Sequence, residues 1–317
     1  MKILNQKSGA ITYAPSNLTI EEIEKDSLAK GLWIEISPAS FTNLTITFAT
    51  GLTFDGEEIY WGDGAVTKLP QTNVISHTYK VSEHVTLPKY WLFIKNCTSF
   101  ISSNETTSGP KIFTENNQLV SRIVLGYGIT VSPYIFSNLN GLKELRNIQD
   151  GEVHLVEAAP ASLSKISFHP SVSIIGNDYC PGSSATPLKM LDICNSLQNV
   201  KYIGQNAFRY WIGDSTKLLI LNLPYIRYIG QNALLNMNNL KTIVLGYKEL
   251  TLEITPFSLI SSDFKCLYKG TPTEWATLVT GNGKTSELTE KTYYYFEEYP
   301  GEGIKAWHYV KGVPTIW

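Results

Sequence analysis

Cysteine, histidine and charge are all scarce in this chain of 317 residues. Its four cysteines, at 97, 180, 194 and 266, stand far apart with no Cys-x-x-Cys, which excludes the common zinc and redox spacings. They read as small buried hydrophobes, with a Cys180–Cys194 disulfide as the alternative. Charged residues make up 17% and the net charge is −2, with no Lys/Arg-rich run, so nucleic acid is not indicated as a partner. No run of about 18 apolar residues is present, so no membrane span is expected. The opening Met1-Lys2-Ile3-Leu4-Asn5-Gln6-Lys7 lacks the apolar stretch of a secretory signal.

Catalytic signatures are missing too. There is no Gly-x-x-x-x-Gly-Lys phosphate loop, no His-Glu-x-x-His and no Gly-x-Ser-x-Gly. The five histidines are scattered, at 77, 84, 154, 169 and 308. Glu57-Glu58 and Glu297-Glu298 are sequence neighbours, which on a strand point to opposite faces and form no acid–base pair. Asp63 and His77 lack a nucleophile or third member. Asp55, Glu57 and Asp63 are candidates for a calcium site, beside the plainer reading of turn chemistry. No enzymatic activity, cofactor or metal is expected from these residues.

What is abundant is apolar and aromatic: 43% hydrophobic residues and 12% aromatic, including 18 Tyr. That composition favours a strand-rich globular protein. Thr19-x-x-Glu22 is a capping box, and Ile20, Ile23 and Leu28 follow at near-helical spacing, so a short helix is expected over 19–30. Strand candidates then follow: Trp33–Ile36, Leu44–Phe48, Glu58–Trp61, Asn73–Tyr79 and Tyr90–Ile94. Trp61-Gly62-Asp63-Gly64, followed by Ser76-His77-Thr78-Tyr79 and a final aromatic strand, resembles the polycystic-kidney-disease (PKD) domain. The resemblance covers roughly residues 33–97 and implies a small β-sandwich. The polar stretch Ile101–Pro110 has the composition of a linker, placing a boundary near residue 110.

Beyond it a phrase Leu-x-x-Ile-x-Leu recurs as Val120-Ile123-Leu125, Leu163-Ile166-Phe168, Leu218-Leu221-Leu223 and Leu240-Ile243-Leu245. Weaker copies are Leu142-Leu145, Leu197-Val200-Tyr202 and Phe264-Leu267. First positions 120, 142, 163, 197, 218, 240 and 264 give steps of 22, 21, 34, 21, 22 and 24. A period near 22 is that of a leucine-rich solenoid. The long step contains Pro181–Pro187, read as an inserted loop. A second echo, Tyr202-Ile-Gly-Gln-Asn-Ala-Phe208 and Tyr228-Ile-Gly-Gln-Asn-Ala-Leu234, has a degenerate form at Ile174–Asp178. Thr271-Pro272-x-Glu274 predicts a helix starting at Pro272. Thr292–Phe296 and Ala306–Val310 are strand candidates, and Lys311-Gly312 turns into a last strand. The Ile-Gly-x-x-Ala-Phe phrase, Pro224, and the closing Tyr268–Trp275 and Trp307–Trp317 segments resemble the BspA-like leucine-rich repeats of bacteria. That resemblance covers about residues 112–317. It implies a bacterial surface or secreted protein engaged in attachment.

The expected architecture is mainly β, in four parts. Residues 1–32 form an N-terminal segment with a short helix. Residues 33–110 form a PKD-like sandwich and linker, 111–270 a leucine-rich-repeat solenoid, and 271–317 a C-terminal cap. Within each repeat strand the residues flanking the apolar positions should face outward in two columns. They include Val124 and Val244, and a candidate partner-binding face of Arg122, Glu144, Arg146, Lys165, Ser167, Asn199, Lys201, Asn222 and Thr242. The aromatics of the cap, Tyr293 to Tyr295 and Trp307, form a rival patch. Adhesion or protein recognition is the function expected. The alternatives are glycan binding by stacked aromatic rings, or a structural part of a phage or secreted assembly.

Overall fold

A computed structural model of the chain describes residues 2–4, 11–13, 19–20, 23, 30–40, 42–69, 74–80, 89–103, 111–132, 135–136, 138–148, 162–179, 188–189, 197–209, 211–212, 219–237, 240–247, 249–253, 256, 262–279 and 285–317. Strand accounts for 41% against 8% helix, so the chain is mainly β, and it carries a β-solenoid of about five turns. Among the described residues no helix is long and apolar enough to cross a membrane. Cys180, Cys194, Pro181–Pro187 and most of the helix expected over 19–30 lie outside the described residues. Of that helix, Ile20 and Ile23 are helical, and the Ile23 amide donates to the Thr19 carbonyl at 3.2 Å.

The chain forms two compact units, Met1–Asp150 with Ala158–His169, and Gly151–Glu157 with Pro170–Trp317. The first is organised on a seven-stranded mixed sheet. Its strand order is Lys165–Phe168, Glu144–Asn147, Val120–Leu125, Gly31–Ile36, Tyr90–Lys95, Glu58–Tyr60 and Val66–Lys68. The first three are parallel, and Val120–Leu125 then pairs antiparallel with Gly31–Ile36. The boundary expected near residue 110 therefore falls inside this unit. One face of the sheet carries the rows Ile166–Leu145–Ile123–Ile34–Leu92 and Phe168–Asn147–Leu125–Leu32–Ile94, all buried. The other face holds Val124, Trp33 and Phe93 under Ile20, Ile23 and Ile148. Trp33 and Phe93 stack at 4.0 Å. Val124 was expected to face solvent; it is buried because the helical turn carrying Ile20 and Ile23 covers it.

Smaller sheets complete this unit. Leu44–Thr47 pairs with Ser76–Tyr79, and Ser99–Ser102 lies between Thr130–Val131 and Leu52–Phe54. The Trp61-Gly62-Asp63-Gly64 turn is pinned from several sides. Asp63 accepts from the Ala65 amide at 3.1 Å and meets His77 Nε2 at 2.7 Å. His77 stacks on Trp61 at 4.8 Å, and the Tyr79 hydroxyl donates to the Trp61 carbonyl at 2.9 Å.

In the second unit the parallel strands Leu219–Leu223, Leu240–Leu245, Lys265–Tyr268, Thr292–Tyr295 and Ala306–Val310 follow one another in one sheet, closed by antiparallel Val313–Ile316. The segment expected as a cap thus continues the repeat sheet. Its helix begins at Pro272, and the capping box forms: the Glu274 amide donates to Thr271 Oγ1 at 3.2 Å and the Thr271 amide to Glu274 Oε2 at 2.7 Å. The turn at Lys311-Gly312 has positive φ at both residues, as a two-residue hairpin requires.

A second parallel sheet joins Ile174–Ile175, Tyr202–Ile203, Tyr228–Ile229 and Thr251–Leu252. It accounts for the Tyr-Ile-Gly-Gln-Asn-Ala echo. Asn206 and Asn232 both sit at φ 56°, and Asp178 at φ 48°, where asparagine and aspartate are tolerated. Their side chains form a ladder, Asn206 donating to Asp178 at 3.0 Å and Asn232 to Asn206 at 3.4 Å. The preceding glycines are fixed by close stacking. A Cβ at Gly204 would lie 2.5 Å from the Asn177 amide nitrogen, and one at Gly230 would lie 2.5 Å from that of Gln205. Two weak repeat copies need correction. Tyr202 of Leu197-Val200-Tyr202 belongs to this second sheet, so that copy is out of phase with the others. In the Lys265–Tyr268 strand Cys266 and Tyr268 align with Ile243 and Leu245, while Leu267 shares the face of Val244. Val244, expected to face solvent, is buried against Leu267 and Trp307.

The glycine stacking yields a test. Gly230→Ala forces backbone apart in a packed coil and should destabilise the chain by about 1–3 kcal/mol. In Gly301→Ala the added Cβ has nothing within 4 Å, so the φ of 108° leaves only backbone strain. Urea midpoints measured for both should fall further for Gly230→Ala.

Candidate functional site

The first unit's sheet carries a charged row on its Trp33 face. Glu35, Arg122, Glu144 and Lys165 are cross-strand neighbours on four successive strands. Glu35 sits in a strand whose other residues are apolar or glycine, and only 1% of it is exposed. A lone buried carboxylate there would be costly without partners. It has three. Arg122 Nη2 donates to Oε2, Ser121 Oγ donates to Oε1 at 2.6 Å, and Lys89 Nζ lies 3.7 Å from Oε1. A register shift between Val120 and Arg122 supplies this geometry: the extra residue brings Ser121 and Arg122 to the same carboxylate. Burial pushes the Glu35 carboxyl up, but hydrogen bonds from Arg122 and Ser121, with the charges of Arg122 and Lys89, outweigh it and hold the group below its ordinary value. The Arg122 guanidinium also lies over the Trp91 ring, 4.9 Å from its centre. Further along the row, Lys165 Nζ meets Glu144 Oε1 at 2.6 Å.

These residues line an open cleft of about 650 Å³. Its charged lining is Glu35, Lys89, Arg122, Lys143, Glu144 and Lys165, four cations to two carboxylates. Ser37, Ser121, Ser164 and Gln118 add hydroxyl and amide groups. Gly141 stands where a Cβ would lie 1.8 Å from the Gln118 carbonyl oxygen, so the two backbones pack directly at the cleft wall.

The nine residues expected to form a partner-binding face are dispersed. Arg122, Glu144 and Lys165 line the cleft. Arg146 donates to the Phe168 carbonyl at 2.7 Å, and Ser167 is buried. Asn199 and Lys201 are exposed but precede the Tyr202–Ile203 strand, and Asn199 donates to the Pro170 carbonyl at 2.7 Å. Asn222 and Thr242 lie on the second unit's long sheet, Thr242 between Ile220 and Lys265. Among the described residues these positions are carried by the first unit's sheet and the second unit's long sheet, with Asn199 and Lys201 just before the second parallel sheet. Glu35, Lys89, Gln118, Ser121 and Lys143 were not anticipated. The visible signal was Glu35 itself, the single charge in Gly31-Leu-Trp-Ile-Glu-Ile36.

The other candidate sites resolve into packing. Asp55 accepts from the Thr98 and Ser99 amides, both at 2.7 Å, and from the Thr98 hydroxyl. Glu57 pairs with Lys95 at 2.7 Å and Asn96 at 2.9 Å. Each carboxylate is thus committed separately, and Asp55, Glu57 and Asp63 do not converge on a calcium position. Among the described residues no group of three or more His, Cys, Asp or Glu is placed to hold a metal. Cys97 and Cys266 are buried free thiols, and burial pushes both up to about 12. In the rival aromatic patch Trp307 is fully buried and donates to the Tyr268 carbonyl at 3.0 Å. Its neighbours Tyr295 and Tyr309 lie at interplanar angles of 70° and 73° to it. No family model, curated protein or solved structure matches the chain.

Glu35 makes the first unit acid-sensitive. Its folded titration lies below the ordinary 4.5, so its stabilisation is present above that value and is lost as pH falls through the folded one. Glu35→Gln should cost on the order of 2–3 kcal/mol at neutral pH, because it removes the charge that pairs with Arg122 and turns one of the two acceptor oxygens into an NH2 donor facing another donor. The gap to wild type should close on acidification below pH 4.5, which urea unfolding across pH would show.

Proposed function

We propose that this chain is a non-enzymatic recognition protein, an adhesin-like bacterial surface or secreted protein that binds a protein partner. The observation that supports this reading best is the charged row over an open cleft. Arg122 is held by Glu35 and Trp91 before any ligand arrives, so little side-chain entropy remains to be lost on binding. Charged groups arranged on a rigid sheet give orientation and association rate. The BspA-like phrases support reading the parallel coils as diverged leucine-rich repeats. The PKD-like phrase supports reading residues 33–110 as a sandwich-derived module. Its Trp61–Asp63–His77–Tyr79 contacts serve packing, in keeping with a spacer.

Glycan binding by the C-terminal aromatics has less support. Stacking on sugar rings needs exposed coplanar rings, whereas Trp307 is buried and the exposed Tyr299 and Trp317 are tilted 56° to each other. His308 covers one face of Trp317 at 3.6 Å. The test is binding of the full chain to a panel of extracellular-matrix proteins, bacterial surface proteins and neutral glycans. Saturable protein binding at micromolar Kd or tighter, roughly −8 kcal/mol, is expected. Binding confined to glycans would replace this reading with a lectin, and binding to nothing in the panel would reject it.

A further inference from the structure

We infer that the cleft on the first unit takes an extended protein segment with spaced acidic residues, laid across the strands. The inference rests on the protein-recognition reading above and adds the chemistry of the ligand. Length comes first. The lining runs from Lys89, just before Tyr90–Lys95, through Glu35, Arg122 and Glu144 to Lys165, crossing five neighbouring strands. At the usual strand spacing that is roughly 19 Å, long for a small metabolite and suited to about six residues of extended chain.

Charge comes second. The whole chain is −2, yet the cleft's charged lining holds four cations to two carboxylates. The carboxylates are already engaged, Glu35 by Arg122 and Ser121, Glu144 by Lys165. The local excess therefore favours an anionic ligand. Sign order refines the class. Along the row the charges alternate, Glu35 negative, Arg122 positive, Glu144 negative, Lys165 positive. Glu35 is buried under its partners, so Glu144, between Arg122 and Lys165, is the carboxylate that a ligand meets; a uniform polyanion laid on this row would meet like charge there, which disfavours it. A polypeptide whose acidic residues are separated by neutral ones avoids that repulsion. Ring stacking is no part of the recognition, because none of the described lining residues is aromatic. Gln118, exposed in the lining, can exchange hydrogen bonds with peptide groups, and the Ser164 hydroxyl, which donates to the Lys143 carbonyl at 3.1 Å, can still accept one.

The experiment uses the full chain and three probes: a nine-residue peptide with aspartate at every third position, its asparagine counterpart, and heparin as a uniform polyanion. The aspartate peptide should bind saturably, about tenfold or more tighter than the asparagine peptide, and should weaken as salt rises. Lys143→Glu with Lys165→Glu should abolish that preference. Should this double variant lose its fold by circular dichroism, Lys143→Gln with Lys165→Gln carries the same test. Equal binding of both peptides, an unchanged preference in the double variant, or heparin displacing the peptide at equal charge would overturn the inference. A panel protein that binds wild type and double variant equally would remove the cleft and leave protein recognition standing. Absence of binding by every panel protein and peptide would remove both.

Discussion

The strand Gly31–Ile36 has no wet side, and the first unit depends on that constraint. All six residues are buried, with Tyr90–Lys95 on one edge and Val120–Leu125 on the other. Leu32, Ile34 and Ile36 serve one face; Trp33 and Glu35 serve the opposite one. A carboxylate in such a strand tolerates only a narrow set of surroundings. It needs hydrogen-bond donors at both oxygens, and those donors must come from the neighbouring strand. The bulge at Ser121 satisfies this by bringing a hydroxyl and a guanidinium to one acceptor. One buried charge thus specifies which strand pairs beside Gly31–Ile36 and in what register, since a one-residue slip would leave Glu35 unpaired among apolar groups.

The second unit obeys a different constraint, repetition at fixed spacing. Successive coils lie one strand spacing apart, so a side chain that intrudes on the neighbouring backbone is excluded at Gly204 and Gly230, while the following coil carries Glu253 at the matching place. That is why glycine recurs before the Gln-Asn pair, and why asparagine recurs where the backbone enters positive φ. The Asp178–Asn206–Asn232 ladder then satisfies side-chain amides coil to coil. Apolar identity is held less tightly: Cys266 and Tyr268 occupy the places of Ile243 and Leu245. A buried core asks for volume and apolarity, whereas a turn asks for one conformation.

This difference explains what the sequence made legible. The repeat period, the mainly β class, the helix at Pro272 and the Lys311-Gly312 turn were all readable, because each rests on local chemistry. The phase of individual copies was less so. Leu197-x-x-Val200-x-Tyr202 satisfies the apolar pattern, yet its Tyr202 pairs with Tyr228 on the other sheet. A phrase of three apolar positions cannot report which side of a coil it occupies, since both sides bury hydrophobic residues. Outward-facing positions were also misjudged at Val124 and Val244. Period-two alternation assigns faces correctly, but it does not say which face another segment covers. Ile20 and Ile23 lie about a hundred positions before Val124, and only the tertiary structure brings them over it.

The cleft was half legible for the same reason. Arg122, Glu144 and Lys165 were found by alternation on adjacent repeat strands, where sequence spacing predicts spatial neighbours. Glu35 lies in a strand outside the repeat and Lys89 just before another, and the antiparallel placement of those strands has no periodic signal. Yet their contribution decides the electrostatics. Without Glu35, Arg122 would keep only its contact with Trp91 and lose the pair that fixes its charge. With it, the guanidinium is fixed over Trp91 and the row alternates in sign. Such a row gains less raw attraction for any anion than four cations alone would. It gains discrimination, because a ligand must match the spacing as well as the sign. On the recognition proposed above, Glu144 between Arg122 and Lys165 is what separates a segment with spaced acidic residues from a uniform polyanion.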